Sequence, residues 1–162
     1  MNIFTLDKDP EKCSRYHCDK HIVKMVVEYT QLLSGAVRVC GYDGEDVYKL
    51  THINHPCALW TRSSRSNFNN LVDLTNCMFI EYTNRYKRLH ASMIVFNRCA
   101  DLSDYIPAGK ATARPKCVPD YCKEKSVVQS YRNYYIYEKA HFAKWKHSKI
   151  PRWFLDNVEL VL

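Results

Sequence analysis

The stretch YHCDKHIVKMVVE at residues 16–28 concentrates ionisable side chains within one strongly helical pattern. Apolar residues recur every three or four positions through it and beyond it, which predicts an amphipathic helix that buries one face. His17 and His21 are four positions apart, so a continuous helix places both imidazoles on one face. The apolar positions are Cys18, Ile22, Met25, Val26, Tyr29, Leu32, Leu33, Ala36 and Val37.

The polar face of this helix carries the first candidate functional groups. Glu28 lies among apolar neighbours, and a carboxylate in a partly dry site is suited to general acid–base chemistry. His17 and His21 are candidates for acid–base or orienting roles, and Lys20 and Lys24 are candidates for phosphate binding. An ordinary salt bridge is the alternative role for Glu28, because a buried carboxylate needs a cationic partner.

Capping and breaking residues divide the rest of the chain into helices and loops. Asp9 before Pro10, Asn54 before Pro56, and Ser126 are the predicted helix starts, because these side chains cap helices and proline suits the first turn. The predicted helices span residues 9–40, 55–63, 64–88, 90–99 and 126–147.

The segments between and beyond the helices have their own signals. Residues 101–125 contain three prolines and a glycine, which predicts a long irregular loop. Residues 2–6 are short and apolar and are predicted to be extended, and residues 150–154 are predicted to fold back as an apolar clasp. The sequence therefore predicts a mainly α fold, a single compact domain over residues 1–162 with three long helices, short helices and one long irregular loop.

Composition limits the class of protein. The 162 residues are 46% hydrophobic, which is enough for a core, and the net charge of +7 favours an anionic partner such as DNA or a nucleotide. A solvated basic surface is the alternative explanation for that charge. Only 4 glycines are present, which argues against a glycine-rich phosphate loop.

The eight cysteines do not indicate a disulfide framework. Charged residues interrupt the start of the chain, so no signal peptide is expected, and several cysteines occupy apolar helical positions where free thiols are common. No apolar run is long enough for a transmembrane helix. We therefore expect a reduced cytoplasmic protein with no membrane partner; its oligomeric state stays open.

Basic and aromatic residues outside the first helix extend the candidate phosphate site. Arg62 and Arg65 flank the start of a long helix, where exposed N–H groups add positive potential. Arginine interleaved with aromatic residues can also hold phosphate and stack a base. Core packing of the tyrosines near Arg132, and helix capping by His55, are the alternatives. The full candidate set is Lys20, Lys24, Arg62, Arg65, Arg114, Arg132, His55 and Trp60.

Metal binding and cofactors are not expected from the spacing of ligand residues. Five possible ligands lie at His17, Cys18, His21, His52 and His55. However, no Glu stands between His17 and His21 as in metalloproteases, and Cys117 with Cys122 lacks a second pair at zinc-finger spacing. The Pro-Cys-x-x-Cys motif of zinc deaminases is absent as well.

Several short motifs resemble the pyrimidine-dimer DNA glycosylases of the phage endonuclease V type, which are small and mainly helical. They follow the family's order and span most of the chain, while the His-Cys-Asp-Lys-His opening resembles a divergent branch of uncharacterised phage proteins. The motifs are Gly35-Ala36-Val37-Arg38, Asn54-His55-Pro56 with Trp60, Glu81-Tyr82 with Arg85-Tyr86, residues 101–107, and Tyr134-Tyr135 with Lys139-Ala140.

This resemblance implies excision of a damaged base followed by strand cleavage. In the family the nucleophile is the N-terminal α-amine, exposed when the initiator Met is removed, and a helix-borne Glu assists. Glu28 falls on the corresponding helix, with a spacing to Gly35 that differs from the family's by one residue. The bulky Asn2 predicts that Met1 is retained, so the amine of Met1 is the corresponding candidate.

Two hypotheses of different classes follow. The first is a phage-type DNA-binding protein that resembles a glycosylase/abasic lyase and acts on a modified or damaged base, with Met1, Glu28, His21 and His17 as candidate catalytic residues. The second is a non-catalytic phage protein that binds a nucleotide or a nucleotide-derived signal and counters a host defence. A partner-binding inhibitor of a host protein is a third possibility.

Overall fold

The computed structural model describes residues 1–158, which form seven α-helices and no β-strand. The prediction of a mainly α fold is confirmed. None of the helices between residues 1 and 158 combines the length and apolar composition needed to cross a bilayer. The helices are α1 (Pro10–Tyr16), α2 (Asp19–Val39), α3 (Pro56–Ser63), α4 (Arg65–Tyr86), α5 (Met93–Asp101), α6 (Val127–Tyr134) and α7 (Arg152–Val158).

The two long helices α2 and α4 pack against each other and organise the rest. Helix α1 packs on α4, while α3 and α5 pack on α2. The apolar face predicted for residues 18–37 is buried, with Ile22, Val26 and Leu33 fully inside the core. Each such side chain contributes about 1.5–3 kcal/mol through burial, which explains why the helical period was a reliable guide here.

The prediction of one helix over residues 9–40 is wrong, because the chain breaks between α1 and α2. His17 and Cys18 have extended backbones, with ψ of 131° and 161°. The His17 ring stabilises the break: Nδ1 donates to the Cys13 carbonyl at 2.8 Å, and Nε2 accepts from the Tyr29 hydroxyl at 3.1 Å. His17 and His21 therefore do not share a helix face.

A buried arginine supports the same break from α4. The Arg85 guanidinium contacts Glu81 at 2.7 Å and Asp19 at 3.0 Å. It also donates to the backbone carbonyls of Arg15 and His17, both at 3.0 Å. Arg85 thus satisfies carbonyl groups that the end of α1 leaves without helical partners.

The final long helix is shorter than predicted. Helix α6 passes into one π-helical turn, Tyr135–Lys139, and does not continue to His147. Residues beyond it return to the body, where the Asp19 amide donates to the Lys144 carbonyl at 2.8 Å. Two long helices rather than three therefore form the framework.

The predicted apolar clasp is present at α7. Phe154 is buried, and its ring centroid lies 4.8 Å from that of Trp145. Trp153 packs edge-on against Tyr16 at 6.0 Å. The clasp therefore covers the end of α1 and the segment after the π-helical turn.

Capping of the helices follows the sequence signals with one exception. The side chains of Asp9 and Ser126 cap α1 and α6, as predicted, and Ser64 caps α4. Helix α3 is capped by His55, whose Nδ1 accepts the Cys57 N–H at 3.1 Å, and not by Asn54. The capping role that was the alternative for His55 is thus the observed one.

The N-terminal segment is extended, as predicted, and runs through the interior. Asn2 donates to the Cys117 carbonyl at 2.8 Å, and the Phe4 N–H donates to the Tyr29 hydroxyl at 3.0 Å. Arg132 of α6 donates to the Leu6 carbonyl at 2.9 Å. These contacts place the amino terminus beside α2 and the π-helical turn.

The irregular segment 101–125 contains two short 3₁₀ turns and lies over the start of α4. The fully buried Asn67 accepts the Thr112 N–H at 2.8 Å and donates to the Thr112 hydroxyl at 2.8 Å. The Arg65 amide donates to the Pro107 carbonyl at 2.8 Å. The loop is therefore held by specific polar contacts.

Candidate functional site: the N-terminal cleft

A cleft of about 190 Å³ lies where the N-terminal segment, α2 and the π-helical turn meet. An amine, a carboxylate, an imidazole and two lysines line it. Three of the four candidate catalytic residues, Met1, Glu28 and His21, are among them. Its lining is Met1, Asn2, Phe4, His21, Lys24, Met25, Glu28, Tyr134 and Lys139.

The Glu28 carboxylate sits between two ammonium groups. One oxygen is 3.4 Å from the α-amine of Met1, and the other is 3.2 Å from Nζ of Lys24. The Glu28 side chain is only 17% exposed, so this pairing is partly shielded from water. The structure therefore brings together the two groups that the family resemblance assigned as nucleophile and assisting carboxylate.

His21 presents a neutral imidazole to the same cleft. Burial, together with nearby His17, Lys139 and Lys24, lowers the pKa of His21 to about 3. Nδ1 is hydrogen-bonded to the Tyr135 hydroxyl at 2.5 Å. Since Nδ1 is engaged, Nε2 is the nitrogen that a molecule in the cleft would meet.

Aromatic rings hold His21 in place and form one wall of the cleft. The His21 ring lies on Phe4 with centroids 4.5 Å apart and meets Phe142 edge-on at 5.5 Å. The Tyr134 ring lines the cleft with the Lys139 ammonium 4.4 Å above its centroid. The Tyr134 ring also stacks on Phe4 with centroids 6.0 Å apart, so this wall offers a ligand the Lys139 cation rather than a free ring face.

The charge of the cleft is net positive. The ammonium groups of Met1, Lys24 and Lys139 exceed the single carboxylate of Glu28, and His21 is neutral at physiological pH. Lys20 lies on the adjoining surface, with Nζ 4.6 Å from the centroid of the Phe142 ring. Such an arrangement attracts an anion, phosphate above all.

His17 lies outside the cleft, and its predicted acid–base role is wrong. The side chain is fully buried, and both ring nitrogens are occupied by Cys13 and Tyr29. Burial lowers the pKa of His17 to about 3, so the ring is neutral. Its role is to stabilise the break between α1 and α2.

Trp60 is likewise buried, so its ring is not available to stack on a base as predicted. Its indole N–H donates to the Thr112 carbonyl at 3.2 Å, which ties α3 to the irregular segment. Burial of the indole follows from its place on the inner face of α3, which composition alone does not reveal.

The four candidate arginines do not line the cleft. Arg65 pairs with Asp104 at 3.1 Å, and Arg132 pairs with Asp7 at 3.2 Å. Each of the four guanidinium groups already donates to an acceptor within the protein. Phosphate binding by these arginines, on the surface outside the cleft, stays a prediction. Further acceptors are the Ile53 carbonyl for Arg62, the Ile106 carbonyl for Arg65, the Thr5 hydroxyl for Arg114 and the Leu6 carbonyl for Arg132.

Lys139 and Tyr134 are cleft residues that the reasoning from periodicity missed. Lys139 stands out in the sequence only within a resemblance motif, and Tyr134 only within that motif and among the tyrosines near Arg132. A regular α-helix does not predict the π-helical turn that follows Tyr134. A larger groove of about 760 Å³ lies near the end of α2, but Arg38 there donates to the Val47 and Tyr48 carbonyls. It lacks the nucleophile–carboxylate pair of the N-terminal cleft.

No family model, curated protein or solved structure matches the chain. The chemistry of the cleft is therefore the basis on which a function can be inferred, and the glycosylase resemblance stays a prediction.

Proposed function

We propose that this chain is a DNA-processing enzyme of the glycosylase/abasic-lyase type, with the α-amine of Met1 as its nucleophile. The observation that carries the proposal is the 3.4 Å contact between that amine and the Glu28 carboxylate in a partly buried, positively charged cleft. A phage-type protein acting on a modified or damaged base in the host cytoplasm fits this chemistry.

The amine is suited to covalent catalysis. A primary amine attacks carbonyl carbons and forms Schiff bases with them. Attack on the C1′ aldehyde carbon of an abasic sugar forms a carbinolamine, which loses water to give an iminium ion. Glu28, which lies 3.4 Å from the amine, accepts the proton that the amine sheds and returns it to the departing hydroxyl as water leaves, so the carboxylate is again unprotonated for the next step.

The same carboxylate supports strand cleavage. Once the iminium ion has formed, Glu28 removes a proton from C2′, and the 3′-phosphate leaves by β-elimination. Lys24 and Lys139 line the cleft where flanking phosphates would lie, and they offset the leaving group's charge. For an intact damaged nucleotide, the amine instead displaces the base from C1′, and Glu28 passes the proton that the amine sheds to the departing base. The sugar ring then opens as O4′ takes up a proton, which gives the same iminium ion without loss of water.

The test is trapping with borohydride, which reduces the iminium ion to a stable amine. We expect a covalent adduct with a duplex containing an abasic site, and peptide mass spectrometry should place the adduct on Met1. Glu28→Gln should lower the single-turnover rate by about 100-fold or more, because a positioned proton acceptor is lost while the shape is kept. Glu11→Gln changes an exposed carboxylate on α1 and serves as the matched control.

A second variant separates the amine from the rest of the cleft. A single glycine placed before Met1 moves the α-amine by one residue and leaves every side chain intact. We expect the adduct to disappear while the melting temperature holds. An adduct mapped to Lys24 or Lys139 in this variant, or no adduct with dimer, abasic or modified-base duplexes, would refute the proposal.

The non-catalytic alternative has one specific observation in its favour. The Lys139 ammonium, held over the Tyr134 ring, offers a phosphate contact in a cleft that also contains Lys24 and the α-amine of Met1. A nucleotide-binding protein should show a rise in melting temperature with free nucleotides and no borohydride adduct. The trapping experiment and this titration therefore discriminate the two functions.

A further inference from the structure

A cluster of metal-ligand side chains lies beside the N-terminal segment and outside the cleft lining. His55, Cys57 and Cys117 offer donor atoms that all lie within 4.8 Å of one another. His55 and Cys57 belong to the start of α3, whereas Cys117 belongs to the irregular segment. Local spacing could not reveal the cluster, because the fold joins residues 60 positions apart.

The distance between the two sulfurs fits a tetrahedral metal site. The Sγ atoms of Cys57 and Cys117 are 3.7 Å apart, far longer than the ~2.05 Å of a disulfide. With Zn–S bonds of about 2.3 Å and a tetrahedral angle, two zinc thiolates lie about 3.8 Å apart. The pair is therefore already spaced as the edge of a zinc tetrahedron.

The imidazole completes a donor set that zinc prefers. His55 Nδ1 now accepts the Cys57 N–H at 3.1 Å, and a metal would take over that lone pair. Two thiolates and one imidazole suit zinc and exclude hard cations such as Mg²⁺, which prefer oxygen ligands. Cys57 is buried, while His55 and Cys117 are half-buried, so an ion can reach the cluster from solvent.

We propose that His55, Cys57 and Cys117 form a zinc-binding site with an open fourth position, which ties the irregular segment to the start of α3. The site differs from the expectation of no metal, which rested on local spacing alone. Asn2 donates to the Cys117 carbonyl at 2.8 Å, so the ion would also secure the residue next to Met1. The inference stands apart from the proposed lyase activity.

Binding of Zn²⁺ to the chelator-treated, reduced protein tests the site directly. We expect one equivalent per chain by isothermal titration, a rise in melting temperature, and a thiolate-to-metal charge-transfer band when Co²⁺ replaces Zn²⁺. Cys57→Ser and Cys117→Ser should each remove the band and lower the Zn²⁺ affinity at least tenfold. Cys77→Ser, at a half-buried cysteine of α4, should retain both.

A third variant guards against a simple loss of folding. Asn is a strong helix N-cap, so His55→Asn should keep α3 capped and keep the melting temperature of the metal-free protein, yet bind Zn²⁺ at least tenfold more weakly. Zinc binding that survives in Cys57→Ser, or that His55→Asn leaves unchanged, would overturn the site. So would a stoichiometry near zero, or a Cys57–Cys117 disulfide found by mass spectrometry of the protein purified without reductant.

Discussion

At the scale of single residues, two buried histidines make the stability of the fold sensitive to acid. Burial lowers the pKa of both His17 and His21 to about 3 from an ordinary value of 6.5. The unfolded chain therefore binds two protons, over the window from about pH 6.5 down to 3, that the folded chain excludes. The stabilisation of the folded state by these two neutral histidines is fully present above pH 6.5. It is lost as the pH falls from 6.5 towards 3.

We accordingly predict that the free energy of unfolding falls by roughly 2–4 kcal/mol between pH 7 and pH 5, since each histidine contributes up to about 1.4 kcal/mol per pH unit. Urea titrations at both pH values measure it. His17→Gln cannot gain the proton, so it should show a visibly smaller pH dependence. His141→Gln, at an exposed position, should behave as the unchanged protein; equal slopes in all three would refute the assignment.

The candidate residues show which side chains of the cleft could be predicted from the sequence and which could not. Glu28, Lys24 and His21 are predictable because they lie on one helix whose buried face is obvious. The position of His17 was predicted wrongly because two extended residues separate α1 from α2, so His17 does not continue the face of α2. The apolar spacing continues across the break and gives no sign of it. The sequence alone does not distinguish a buried histidine that hydrogen-bonds to a backbone carbonyl from a histidine that faces a ligand.

At the scale of helices, Arg85 is the main polar link between α4 and the α1–α2 break. Its side chain is 1% exposed, and two carboxylates and two carbonyls depend on it. Arg85→Met should lower the free energy of unfolding by about 3–5 kcal/mol, because Glu81 and Asp19 are left as uncompensated charges. Chemical denaturation at neutral pH provides the measurement.

An exposed pair supplies the comparison. Arg98 contacts Asp46 at 2.7 Å, but the two side chains are 41% and 51% exposed. Arg98→Met should therefore lower the free energy of unfolding far less than Arg85→Met does. A loss at Arg85 no larger than the loss at Arg98 would show that solvent reaches the buried cluster.

Helix boundaries were predictable where a side chain signals them. Asp9 and Ser126 cap the helices that they were expected to cap, because the cap is a local hydrogen bond. The π-helical turn Tyr135–Lys139 was not predictable, since it depends on tertiary contacts such as the hydrogen bond between the Tyr135 hydroxyl and His21. That turn decides which side chains of α6 reach the cleft.

At the scale of the whole molecule, the excess positive charge should govern DNA binding. Lys20, Lys24 and Lys139 lie in or beside the cleft and would neutralise about three phosphates, which predicts a slope near −2.7 for log K against log salt concentration with duplex DNA. Lys139→Gln should reduce the slope by about 0.9. Fluorescence anisotropy at several salt concentrations measures both.

A lysine far from the cleft tests whether the charge acts locally. Lys49 lies beyond the end of α2 at Val39, and roughly 16 Å of helix separate that end from Glu28 in the cleft. Lys49→Gln should leave the slope unchanged. A slope that does not respond to Lys139 but does respond to Lys49 would move the DNA contact to the groove near the end of α2, which Lys49 lines.

The overall helical content was predictable, whereas the convergence of distant segments was not. The spacing of apolar residues identified the buried faces of α2 and α4, because a helix with one buried face needs an apolar side chain on that face in every turn. The cleft and the metal cluster instead join residues near 1–2, 55–57, 117 and 134–139, and no local pattern specifies which loops meet.

The buried course of the N-terminal segment has a kinetic consequence. Asn2 finds its partner 115 positions along the chain, Leu6 finds its own 126 positions along, and the His21–Tyr135 bond spans 114. The N-terminal segment is therefore enclosed only after segments more than 100 positions further along the chain have been synthesised. Pairings of such long range slow folding relative to a bundle of neighbouring helices. A chain truncated before the π-helical turn should accordingly fail to form the N-terminal cleft.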